Sequence, residues 1–138
     1  MRDEQFITTV EKIITDDPRF AEEAYEFISD AVIYTTRKIE KKDNTKRHIS
    51  GQELLEGIKD FAISQFGPLT QDVLESWGIT DTISIGHIVF NMVDHKLLGS
   101  TEDDSIDDFK NGFDFTSAFT SPFLPAETKK TPTTIIDL

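Results

Sequence analysis

Four groupings of polar side chains in this 138-residue sequence have the types and spacing that chemistry requires. His87, Asn91, Asp94 and His95 fall at i, i+4, i+7 and i+8 of an apolar-periodic stretch, along one polar side of a helix. Two imidazoles and a carboxylate are zinc-ligand types. His87 and His95, however, stand two turns apart and about 80° out of line, so they do not chelate one ion as an i, i+4 pair does. Asp103-x-Ser105-x-Asp107, with Asp114 in the twelfth place, copies part of a calcium loop. Its sixth place is Asp108 where such a loop turns on Gly, and its last ligand is Asp where a bidentate Glu is needed. An acidic turn that keeps a hairpin soluble is the preferred reading. His48, just before Ser50, is the right type for a general base, but no G-x-S-x-G, phosphate-loop or dinucleotide motif accompanies it. Its expected role is to pack beside a helix start. With no cysteine, thiolate and disulfide chemistry are excluded. No catalytic residue, metal ligand or cofactor is expected.

The fourth grouping is charge. The net charge is −12. From Ser50 to Phe115 thirteen Asp and Glu face Lys59, Lys96 and Lys110, a net of −10, whereas from Arg37 to Arg47 six basic residues face Glu40 and Asp43, a net of +4. Duplex binding depends on Lys and Arg neutralising phosphates. The stretch that would form a recognition helix, residues 83–97, offers Lys96 offset by Asp94, so a nucleic-acid partner is disfavoured. The candidate contact residues are the basic strip Arg37, Lys38, Lys41, Lys42 and Arg47, the acidic group Asp103, Asp104, Asp107 and Asp108, and Phe123, which stands between Pro122 and Pro125. The function expected is non-enzymatic protein–protein interaction, with a partner protein or a second copy. The alternatives are a winged-helix DNA-binding regulator, which the acidity opposes, and an enzyme without a recognisable motif.

Hydrophobic periodicity supplies the elements that must position these groups. Phe6, Val10, Ile13 and Ile14 predict a helix over residues 3–14. Asp17 as N-cap and Pro18 at the first position predict a second helix reaching Lys42. Ser50 and Glu53 form a capping box for a third helix that buries Leu54, Leu55, Ile58, Phe61, Ala62 and Phe66 and stops at Gly67. Pro68 to Trp77 reads as a fourth helix with Leu69, Val73, Leu74 and Trp77 inside, closed by Gly78 in a left-handed conformation. Asp81 or Thr82 caps a fifth, running to Leu97 before Gly99. Leu98–Thr101 and Ile106–Phe109 read as short strands around a Glu102–Ser105 turn.

The order is that of a mainly α chain: an N-terminal helical pair (1–42) packed on a winged-helix-like three-helix core (50–115) with a short β-hairpin, in one domain over 1–120. Residues 121–138 are expected to form a flexible or docking tail. A plain helical bundle with an irregular arm is the alternative. The charged start and the short uncharged run from Thr82 to Val93 predict neither a secretory signal nor a membrane span, which needs roughly 18 apolar residues. A cytoplasmic location follows as the expectation, with no membrane partner.

The motifs RHISGQELLEGIKDFAISQFGPL, WGI, GHIVFNMVDHKLLGSTEDDS and FDFTSAF together resemble a family of small acidic bacterial proteins to which no activity is attached. The resemblance runs from about Phe6 to Phe119. It implies a cytoplasmic bacterial protein and carries over no site residues.

Overall fold

A computed structural model describes residues 3–125. Its order is α1 (Glu4–Asp16), α2 (Glu22–Asp43), α3 (Gly51–Phe66), α4 (Thr70–Ser76) and α5 (Thr82–Asp94), followed by short helical turns at Ile106–Phe109, Thr116–Thr120 and Ser121–Phe123. Residues 126–138 of the expected tail lie outside the described residues.

Three helix starts, those of α1, α3 and α5, are specified by side-chain caps. The Asp3 carboxylate accepts the Phe6 amide at 2.8 Å and opens α1. Ser50 and Glu53 form the expected reciprocal box at α3, with Ser50 N–H donating to Glu53 at 3.0 Å and Glu53 N–H to Ser50 at 3.1 Å. Asp81 accepts the Ser84 amide at 2.9 Å and opens α5. Side chains of this kind satisfy amide donors that a first helical turn leaves unpaired.

The core forms where α2 lies along α3 and α5, while α1 closes one end. Ile28, Ala31 and Thr35 of α2, Ile58 and Ala62 of α3, and Ile85, Ile88 and Met92 of α5 are all buried. Helix α2 is thus part of the same core as α3 and α5. At Gly57 the two helices come so close that an added Cβ would sit 1.8 Å from the Thr35 hydroxyl, which itself donates to the Ala31 carbonyl at 2.8 Å. A glycine here permits an approach that no other residue allows.

Helix α5 stops at Asp94, short of the expected Leu97, and Lys96 just beyond it turns left-handed (φ +64°). Three larger sequence expectations need correction. Asp17 does not cap α2, which begins at Glu22 behind Ala21. It ends α1 instead and receives Arg19 through two nitrogens, at 2.8 and 2.7 Å, and the Asn91 amide at 3.0 Å. The Arg19 bonds, chiefly, hold the Asp17 carboxyl far below the usual carboxylate range. The same Asn91 amide donates to the buried Tyr25 hydroxyl at 3.1 Å, which fastens the α1–α2 turn to α5. Burial pushes the Tyr25 pKa up.

Leu69, expected inside α4, is 61% exposed. Residues 67–69 form a 3₁₀ turn, which advances the helix phase by more per residue than an α-turn and brings Thr70 inward instead. The Thr70 hydroxyl donates to the Gly67 carbonyl at 2.6 Å.

The expected β-hairpin is absent: no residue described here is in a strand, and the chain remains mainly α without a wing. The winged-helix-like assignment falls with it. Side chains occupy the amides that a hairpin ladder would use, a competition open to Ser and Asp. Asp104 accepts Thr101 N–H at 2.7 Å, Ser105 Oγ accepts Asp107 N–H at 3.1 Å, and Asp108 accepts Ser105 N–H at 3.3 Å. In the resulting 3₁₀ turn Ile106 and Phe109 fall on one side, and both press on Gly86 of α5, where an added Cβ would meet them at 2.7–2.8 Å. In a strand these two residues would face opposite ways.

Candidate functional site

The turn that replaces the wing folds back over the start of α3 and the last half of α5, and a cleft of about 370 Å³ lies between them. Its apolar lining comes from α2 (Val32), α3 (Leu54), α5 (Val89, Phe90, Val93) and Phe109. Arg47 and His48 of the α2–α3 loop, Ser100, Asp104 and Asp108 supply its polar edge. Gly51 lies under this edge: a Cβ there would meet Asp108 Cβ at 2.8 Å and the Phe109 ring at 3.2 Å, so the absence of a side chain lets the acidic turn sit against α3.

The polar edge is fixed by ion pairs. Arg47 Nη1 and Nη2 donate to the two Glu53 oxygens at 2.9 and 2.6 Å, and Nε donates to Asp43 at 3.0 Å. Such forked pairs set orientation as well as distance. They raise the Arg47 pKa further and, with the Ser50 amide, lower that of Glu53 to about 2. Arg47 also donates to the His48 carbonyl at 3.1 Å. His48 Nε2 then spans the mouth of the cleft to Asp104, at 3.0 and 2.8 Å from its two oxygens. Burial opposes charge on Asp104, but the Thr101 amide and His48 outweigh it and hold its pKa below the ordinary value. Two carboxylates, Asp104 and Asp108, line the cleft beside one guanidinium, Arg47, which is itself already paired with Asp43 and Glu53.

Among the described residues no ion pair joins the basic strip to the acidic group; the link between the two regions is His48, next to Arg47, bonded to Asp104. Of the acidic group, Asp104 and Asp108 line the cleft and are half-buried, while Asp103 and Asp107 are exposed, Asp107 pairing with Lys110 at 2.8 Å. Of the basic strip, Arg47 is held at the cleft, and Arg37, Lys38, Lys41 and Lys42 project from α2 into solvent. Lys38 pairs with Asp60 of α3 at 2.9 Å. Phe123 is 41% exposed, next to the exposed Leu124.

Neither of the two groupings weighed as metal ligands is assembled. Asn91 faces Asp17 and Tyr25, and the His95 ring contacts the Asn91 carbonyl at 2.9 Å. Asp114 accepts the Ser117 amide at 2.9 Å, a separate turn from that of Ser105. Among the described residues no three His, Asp or Glu are placed to share a metal ion, and no helix is long and apolar enough to cross a membrane.

Sequence reasoning weighed His48 alone and missed its partner, 56 residues away. The local signal was Ser105-x-x-Asp108, which has the spacing of a capping box and so marks a helical turn. No protein-family profile, curated protein or solved structure matches this chain.

Proposed function

We propose that the protein acts by binding another protein, and that the cleft between α2, α3 and α5 is the recognition site. The observation that supports this most directly is the pairing of an apolar floor with a mouth whose two carboxylates, Asp104 and Asp108, are already held in place. A recess of this size accepts one large apolar side chain, and its edge favours a Lys or Arg beside it. The side chains that dominate protein–protein affinity are typically anchors seated in well-packed, desolvated pockets. Because Arg47, Glu53 and His48 are ordered before binding, the ordering cost of association falls. A cytoplasmic setting is proposed on the sequence reading alone.

The test is selection from a displayed peptide library on the purified chain. Selected peptides should share a large apolar residue next to Lys or Arg. They should lose about tenfold in affinity to Asp108→Asn, and also to Gly99→Trp, whose new side chain enters open space at the cleft edge. Peptides without that pattern, or with wild-type affinity for either variant, would refute the reading. The His48–Asp104 bond favours a second reading, in which Asp104 orients His48 as a general base. His48→Gln separates the two: a binding site keeps most of its peptide affinity, and a catalytic one loses its turnover.

A further inference from the structure

A second surface, on the opposite side of α2 from the core, has a different character. Ile33, Arg37 and Lys41 follow one another at i, i+4 spacing, each about 6 Å further along the axis. Beside them Tyr34 and Lys38 of α2 and Phe61 of α3 complete a shallow groove. Its floor is apolar and aromatic: the Tyr34 and Phe61 rings are 5.1 Å apart, and Ile33 is 43% exposed. Its margin is basic. Lys38 is tied to Asp60 and lies 5.7 Å from the centre of the Tyr34 ring, while Arg37 and Lys41 are exposed and form no ion pair among the described residues. Asp30, at the far end, has contacts of its own.

We infer that this groove is a docking site for an acidic amphipathic helix of a partner protein, with an aliphatic side chain on Ile33, Tyr34 and Phe61 and carboxylates reaching Arg37 and Lys41. Three observations select that occupant. The i, i+4 row of α2 matches the i, i+4 row of a helix laid alongside it. The groove is a basic island on a chain of net charge −12, so the field attracts an acidic segment here and repels it elsewhere, which fixes orientation. Nucleic acid would need many more cations in line than Arg37 and Lys41 supply. A second copy is a poorer match, because of the four aspartates it could offer the strip, Asp104 and Asp108 are half-buried in the cleft and Asp107 is paired with Lys110. The groove is separate from the cleft, and this inference stands or falls independently of the proposed function.

The experiment is fluorescence anisotropy with a labelled synthetic peptide carrying Leu and Glu at i, i+4 spacing, and with a scrambled peptide of the same composition. The ordered peptide should bind more tightly than the scrambled one, and its affinity should fall as salt is raised from about 50 to about 500 mM. Arg37→Glu with Lys41→Glu should weaken it about tenfold, and Ile33→Ser several-fold, with unchanged circular dichroism and melting. Gly99→Trp should leave it unaltered. Equal binding of the scrambled peptide, or wild-type affinity in the charge-reversed variant, overturns the inference. So does displacement by duplex DNA, loss of binding in Gly99→Trp, or a charge-sensitive self-association in sedimentation in place of peptide binding.

Discussion

Replacing Gly57 by Ala tests whether the contact between α2 and α3 is as tight as its geometry says. In an open helix interior the change would stabilise by about 1 kcal/mol, because Ala orders at lower entropic cost than Gly. Here the new Cβ would meet Thr35 Oγ1 at 1.8 Å, Cγ2 at 2.5 Å and Cβ at 2.6 Å. Thr35 is 2% exposed and its hydroxyl is bonded within its own helix, so it has no free space to rotate into. Overpacking a close-packed interior costs about 1–3 kcal/mol and sometimes more. With three contacts this short, the cost should exceed the propensity gain, leaving a net loss of about 2 kcal/mol. Thr35→Ala removes the two shortest contacts and leaves the third, so it should give partial relief. The double variant should therefore lose at least about 1 kcal/mol less than the sum of the two singles. Urea denaturation followed by far-ultraviolet circular dichroism measures all three variants. A Gly57→Ala protein as stable as wild type, or strict additivity in the double variant, would refute the packing argument. It would also remove the basis for treating Val32 and Leu54 as fixed walls of the cleft.

Two further outcomes follow from polar contacts. Asn91→Leu should destabilise by about 1–3 kcal/mol, since it removes the described partner of the buried Tyr25 hydroxyl; calorimetric melting of Asn91→Leu with and without Tyr25→Phe checks this, and the second change should restore part of the loss. Glu53 has its pKa lowered from 4.5 to about 2 in the folded chain, so its contribution is fully present above pH 4.5 and disappears as pH falls towards 2. Glu53 is about a third exposed, so solvent screening keeps that contribution to roughly 1 kcal/mol or less; acid titration of Glu53→Gln should show a correspondingly smaller loss of stability in that window.

What could be read from the sequence was local. The Ser50–Glu53 box, the Asp81 cap, the stop at Gly67 and the left-handed Gly78 (φ +93°) depend on neighbours within a few residues. So do the buried faces of α3 and α5, apart from the half-buried Phe61 and Phe66 of the first and Val93 of the second, and Leu97, which lies past the end of α5. What the sequence hid was non-local. Asp17 has the right type and place for an N-cap, but Arg19 takes both of its oxygens and Asn91, 74 residues on, ties it to α5. Ile106–Phe109 is too short for periodicity to separate a strand from a 3₁₀ turn, and the deciding surface, Gly86, lies on another helix. The cleft combines both limits, because Asp104, the partner of His48 across its mouth, is 56 residues away and just ahead of that misread turn.

The Thr82 hydroxyl donates to the Phe109 carbonyl at 2.6 Å and accepts the Gly112 amide at 3.1 Å, so the first turn of α5 is where the returning chain is fastened. During synthesis the ribosome delivers residues in order, and domains gain structure as their segments emerge. Helices α1 to α5 can therefore assemble on one another while the far wall of the cleft is still inside the exit tunnel. The recess acquires Asp104, Asp108 and Phe109 only when that last stretch reaches Thr82. The cleft is thus completed late in the life of the nascent chain, and a polypeptide stopped just after α5 would have most of the helical core but only one side of the recess.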